Sequence, residues 1–219
     1  MASENTHEVK NEISFNQPYS GVLRLWHWLT AITITASIVL VLFGSTMFRT
    51  RNNIEMVQEQ LQRKGIEVTS DQARAVAHEY SDKLWMAHKW VGYGLCFLLL
   101  SRIIIEIARA KDDRLVSKIK NALGVIPKSS EHQDRRHYLS VKSGYLLFYI
   151  IFFLMGLTGL GLAFEDAGFL KPFHEAIKEV HEFLQYAVYA YILIHLIGVI
   201  MADMGKYQGI VSRMIHGRK

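Results

Sequence analysis

Residues 181–204 read HEFLQYAVYAYILIHLIGVIMADM, an apolar run that carries two histidines, His181 and His195, fourteen positions apart. From Phe183 to Met204 this run reaches the roughly 20 residues needed to cross about 30 Å of hydrocarbon. Three earlier blocks, 26–48, 85–108 and 144–164, have the same character. Lipid offers backbone N–H and C=O groups no partners, so each block is expected to be helical. The predicted fold class is all-α, an integral membrane four-helix bundle. The first two spans also carry histidines at their openings, His27 and His88. An imidazole in hydrocarbon has few partners, which makes an ionisable side chain inside a span a functional candidate.

Outside the spans the chain divides into a polar tail (1–20), an outer helical loop (49–84) within the four-helix domain (21–205), and a basic tail (206–219). The first apolar block starts too far along, and lacks the small-residue cleavage site, for an ordinary secretory signal. A single cysteine, Cys96, excludes an intrachain disulfide and a thiolate-rich iron–sulfur or zinc site. Any metal is therefore held mainly by nitrogen or oxygen. The formal charge of +5 is distributed as membrane orientation requires, which argues against a nucleic-acid partner. Residues 109–142 carry nine Lys or Arg against four acids, and 165–182 carry five acids against two lysines. The positive-inside rule then places the 109–142 loop and both termini in the cytoplasm. Residues 49–85, with six basic and six acidic residues, lie outside by alternation.

Trp26, Trp28, Trp85 and Trp90 cluster at span ends, where an amphipathic ring sets helix depth. The 49–84 loop reads as two short helices broken near Gly65, with Ser70 capping the second. Residues 165–182 read as a short outer helix beginning near Pro172. Gly156, Gly159 and Gly161 in span three let helix backbones approach, as do Gly44 and Gly92; each serves either packing or space for a ring.

With the amino terminus inside, His27 lies near the inner surface and His88 near the outer one. Span four runs inward, so His181 is at its outer end and His195 lies about 21 Å deeper at 1.5 Å per residue. Fourteen steps of about 100° end roughly 40° short of whole turns, so both face one seam. Depth pairs His88 with His181 at an outer site and His27 with His195 at an inner site. Two imidazoles above and below a haem iron leave no open coordination position, and the expected chemistry is one-electron transfer through two haem b groups. Arg24 and Lys206 inside, and Lys89 outside, are candidate partners for the propionates, or equally interfacial anchors.

The segments RLWHW (24–28) and HKWVG (88–92), with His181 and His195, resemble the bacterial cytochrome b561 family and the related cytochrome b subunits of nickel-iron hydrogenases. The resemblance covers residues 20–205. It implies a di-haem cytochrome of the bacterial inner membrane that passes electrons between the quinone pool and a periplasmic or membrane redox partner. It also admits a superoxide-oxidising quinone reductase as the activity, with Lys83, Lys89 and Lys178 either drawing in the anion or standing as solvated rim charges. A further alternative is a haem-containing anchor subunit of a larger complex, as a homo- or hetero-oligomer. A divalent-metal transporter is disfavoured, because hard cations need oxygen ligands and the spans hold few carboxylates.

The remaining histidines read differently. His78, His132, His137 and His216 are interfacial or packing residues, His7 belongs to the tail, and His174 is a weaker rival to His181. Tyr186, Tyr189 and Tyr191 read as packing aromatics. Arg102, near the inner end of span two, identifies no quinone pocket and serves equally as a snorkelling anchor.

Overall fold

The computed structural model describes residues 19–108, 114–124, 132–165, 168–205 and 208–217. Lys206, His7 and the side chain of His132 lie outside this set. The described residues form seven α-helices and no strand: α1 (Gly21–Ser45), α2 (Thr50–Gln62), α3 (Ser70–Ala108), α4 (Leu115–Gly124), α5 (His132–Ala163), α6 (His174–Met204) and α7 (Ile210–His216). A 3₁₀ turn, Lys171–Phe173, leads into α6. Four of these helices, α1, α3, α5 and α6, are long and apolar enough to span a membrane, with mean hydropathies of 1.9 to 2.3 over their central windows. Large apolar side chains such as Phe97, Ile104, Ile194 and Met201 remain exposed along them, as lipid-facing helices require. The fold is thus an all-α membrane protein.

Two expectations change at the helix ends. The second short helix of the 49–84 loop is not separate: it is the start of α3, which runs unbroken for 39 residues. At 1.5 Å per residue α3 measures about 58 Å, twice the hydrocarbon thickness, so its polar start projects beyond the lipid. The outer helix expected near Pro172 is likewise continuous with the fourth span. The physical reason is shared, since neither Ser70–Trp85 nor His174–Phe183 contains a Gly or Pro to interrupt the hydrogen-bond ladder. The cap of α3 is Thr69: its backbone N–H donates to Gln72 Oε1 at 2.9 Å, and Gln72 N–H donates back to Thr69 Oγ1 at 3.3 Å. This is a reciprocal capping box. Ser70 instead accepts from Gln58 Nε2 at 3.2 Å, which ties α2 to α3. Gly65, at φ +76°, closes the turn between them, in the left-handed region that glycine tolerates.

The chain forms two compact units. One comprises Trp26–Leu100 and Gly156–Lys178. In it α1 and α3 run antiparallel: Trp26 Nε1–H donates to the Leu98 carbonyl at 2.8 Å, Thr33 faces Gly94, and Ser37 meets His88. At the far end Gly44 is buried against Leu84 and Trp85, where a Cβ would lie 2.8 Å from the leucine and 3.3 Å from the indole. Gly156 approaches the Cys96 sulfur and Gly161 approaches Ile177, so both act in helix packing. Gly92 has nothing near its missing side chain. Small buried residues, Ala73, Ala77 and Ser81, mark at four-residue spacing the inward face of α3's polar extension.

The other unit contains the described parts of Met1–Leu25, Ser101–Met155 and Glu179–Lys219. Here Phe148 on α5 packs on Tyr191 of α6 with ring centroids 5.3 Å apart. Arg102 Nε donates to the Tyr149 hydroxyl at 2.8 Å, and its Nη2 lies 3.4 Å from Glu106. Arg102 is therefore an internal residue, with its side chain 11% exposed, and not a snorkelling anchor. Glu106 in turn accepts the Leu115 N–H, starting α4, a helix inside the basic 109–142 loop. The basic tail contains a helix as well, α7.

Candidate functional site

The four span histidines share a position on the partly sheltered side of their helices. His27, His88, His181 and His195 are all half-buried, while apolar residues on either side of each face outward. Leu25 and Leu29 flank His27, Met86 and Trp90 flank His88, Val180 and Phe183 flank His181, and Ile194 and Leu196 flank His195, all exposed. Each imidazole is thus turned toward the sheltered side of its helix. Helical periodicity accounts for this: one or two steps of about 100° carry the chain from the sheltered face to the lipid-facing one.

Along the α1–α3 pair the two histidines occupy different levels. His27 follows Trp26, which bonds to the Leu98 carbonyl, whereas His88 lies opposite Ser37. The ten residues from His27 to Ser37 correspond to about 15 Å. On α6 the fourteen residues between His181 and His195 correspond to about 21 Å. His27 and His88 belong to one compact unit, and His181 and His195 to the other.

Local partners orient the rings. His88 Nδ1 lies 3.3 Å from Ser37 Oγ, which leaves Nε2 as the nitrogen for another role, and the Trp85 ring meets the imidazole edge to face at 5.8 Å. His27 has a similar edge contact with Trp28 at 5.6 Å. His195 stacks on Tyr191, one turn earlier on α6, with ring planes 6° apart. The contacts of Ser37 with His88 and of Tyr191 with His195 were not legible in the sequence. The serine is one hydroxyl in an apolar helix, and the tyrosine shares its spacing with ordinary packing aromatics.

The expected cation positions divide. Lys89 is exposed next to His88. Arg24 is occupied by the backbone, its Nη1 donating to the Ile215 carbonyl of α7 at 3.1 Å. The rival His174 is engaged on both ring nitrogens, at 2.8 Å from Glu165 and 3.4 Å from Glu175, as a surface residue would be. His78 likewise pairs with Asp82 at 3.0 Å on an exposed stretch of α3.

Among the described residues no three His, Cys, Asp or Glu side chains converge to hold a metal. Histidines presented singly fit a haem, whose porphyrin supplies four equatorial nitrogens and asks the protein only for axial ligands. Neutral imidazoles with a second-side hydrogen bond, as at His88, suit that task.

No curated protein and no solved structure matches the chain. The family described as "Prokaryotic cytochrome b561" matches it over residues 18–217, which takes in all four histidines and every spanning helix. The chain belongs to the prokaryotic cytochrome b561 family, and is a membrane b-type cytochrome that binds haem b and transfers electrons.

Proposed function

We propose that the protein carries two haem b groups and conducts electrons between the quinone pool and a redox partner protein. His88 and His181 hold one iron and His27 and His195 the other. Haem b held by paired imidazoles would supply reversible one-electron chemistry. The observation that carries this reading is the sheltering of all four histidines at separated levels of their helices, within helices otherwise turned to lipid.

The chain's own residues then have definite tasks. Ser37 fixes the ring of His88 through Nδ1, and Trp85 restricts its tilt from the side. Tyr191 does the same for His195 by stacking. The apolar length of α1, α3, α5 and α6 keeps water from the path. Lys89, beside His88, balances propionate charge at the membrane edge, where anionic oxygens favour a cation. The charge distribution supports a bacterial inner-membrane location with both termini cytoplasmic.

Haem counted per chain by pyridine haemochrome tests the reading. Two per chain are expected in the wild type. His88→Ala and His181→Ala should lose the same one, His27→Ala and His195→Ala the other, and the His88→Ala/His181→Ala double variant no more than either single variant. A single haem in the wild type, or losses that do not pair this way, would reject the assignment. Rapid oxidation of the reduced protein by a short-chain quinone tests the acceptor.

A further inference from the structure

A cavity of about 450 Å³ lies where α1 ends and α2 begins, lined by Gly44, Ser45, Arg49, Thr50, Arg51, Ser81 and Trp85. Its volume falls in the range of small-ligand sites. Two arginines line it and no Asp or Glu does. Among the described residues neither Arg49 nor Arg51 forms an ion pair, even though Glu55 stands one turn beyond Arg51 on α2. By contrast, the basic residue at the other end of α2 is paired, Arg63 with Glu59 at 3.7 Å.

Two further features point the same way. Thr50 and Arg51 are the first residues of α2, a 13-residue helix with no acid in its first turn and no side-chain cap, so its positive end faces the cavity beside the last residues of α1. Ser81 lines the same cavity from α3 while only 8% exposed, and its hydroxyl has no hydrogen-bond partner among the described residues. That hydroxyl is not fully enclosed, so a partner from outside the chain can reach it. The Trp85 indole N–H also lacks an acceptor among the described residues. Arg49, Arg51, the Thr50 and Ser81 hydroxyls and the amino end of α2 can all donate to an anion, as a helix N-terminus that binds phosphate does.

We infer that this cavity binds a phosphate-type oxyanion, held by Arg49, Arg51, the amino end of α2 and Ser81. The end of α1 lies at the membrane edge, so that oxyanion is supplied either by a lipid headgroup or by free anion in solution. Trp85 walls the cavity and also touches His88, which places the occupant one ring away from a candidate iron ligand. Binding itself does not depend on the haem assignment.

Titration of the full chain in neutral detergent with short-chain phosphatidylglycerol and, separately, with inorganic phosphate tests this. Saturable binding is expected, weakened at least tenfold in Arg49→Gln/Arg51→Gln and severalfold in Ser81→Ala. The control variant Arg63→Gln/Lys64→Gln, which removes the same charge from the opposite end of α2, should stay within twofold of wild type. Binding of both probes identifies a free oxyanion as a sufficient occupant, and binding of the lipid alone identifies the headgroup. Absence of saturable binding by either probe, or an equal loss in the control, overturns the site.

Discussion

Arg24 in the first turn of α1 donates from Nη1 to the carbonyl oxygen of Ile215, in the last turn of α7, at 3.1 Å. A cation at a helix C-terminus satisfies an unpaired carbonyl and opposes the negative end of the dipole. Gly217 completes the arrangement at φ +79°, and a Cβ there would stand 2.7 Å from Arg24 Cζ. Gly217→Ala and Arg24→Gln should therefore each release α7, at about 1–2 kcal/mol. Amide exchange over 210–216 should rise at least severalfold in both, with Arg24→Lys intermediate. Unchanged exchange would show that α7 is held elsewhere. A guanidinium has five N–H donors, so Arg24 can keep this bond and still serve a propionate.

Arg102 makes a different kind of bond, inside a span. Its charge is shared between the Tyr149 hydroxyl and the Glu106 carboxylate, and Glu106 also holds the amino end of α4. Removing the hydroxyl and removing the charge have unequal consequences. Tyr149→Phe should cost about 1.5–3 kcal/mol, the value of one charge-assisted hydrogen bond. Arg102→Leu should cost about 3 kcal/mol or more, because it strands a partly buried carboxylate. Thermal unfolding in detergent would rank the two, and equal losses would mean the pair adds nothing beyond the single hydrogen bond.

The spans were readable from the chain because bilayer thickness acts on composition alone, and helical periodicity needs no tertiary knowledge to place His181 and His195 on one seam. Helix ends were read less well. Ser70 and Thr69 are both acceptable caps by type, and only the position of Gln72 three residues after Thr69 distinguishes them. The continuity of α3 through Trp85 and of α6 through Phe183 was obscured by the change from polar to apolar residues, which marks the membrane edge and not a helix end. Partners such as Ser37 for His88, or Tyr149 for Arg102, depend on which helices meet. No local pattern encodes that.

The capping box gives its own test. Thr69→Ala removes the hydroxyl that accepts the Gln72 N–H, and should cost about 1 kcal/mol. Ser70→Ala loses only an exposed side-chain contact with Gln58, and should cost less than about half of that. Hydrogen exchange over 70–75 is the sensitive readout, since fraying is confined to the first turn. The reverse ranking would assign the cap to Ser70 after all.

Ser37 offers the closest test of how the chain prepares a ligand. Its hydroxyl is 3.3 Å from His88 Nδ1, so it holds the ring and leaves Nε2 as the nitrogen for the proposed iron. Second-side hydrogen bonds of this kind typically change metal affinity by about tenfold or more when removed. Ser37→Ala should leave the helices and one haem untouched, while the other haem is lost about tenfold more readily to apomyoglobin and shows a shifted midpoint potential. Ser37→Thr, which keeps the hydroxyl, should restore both. A serine that only filled space between α1 and α3 would alter thermal stability in Ser37→Ala without moving either haem's potential, and that outcome would remove Ser37 from the site.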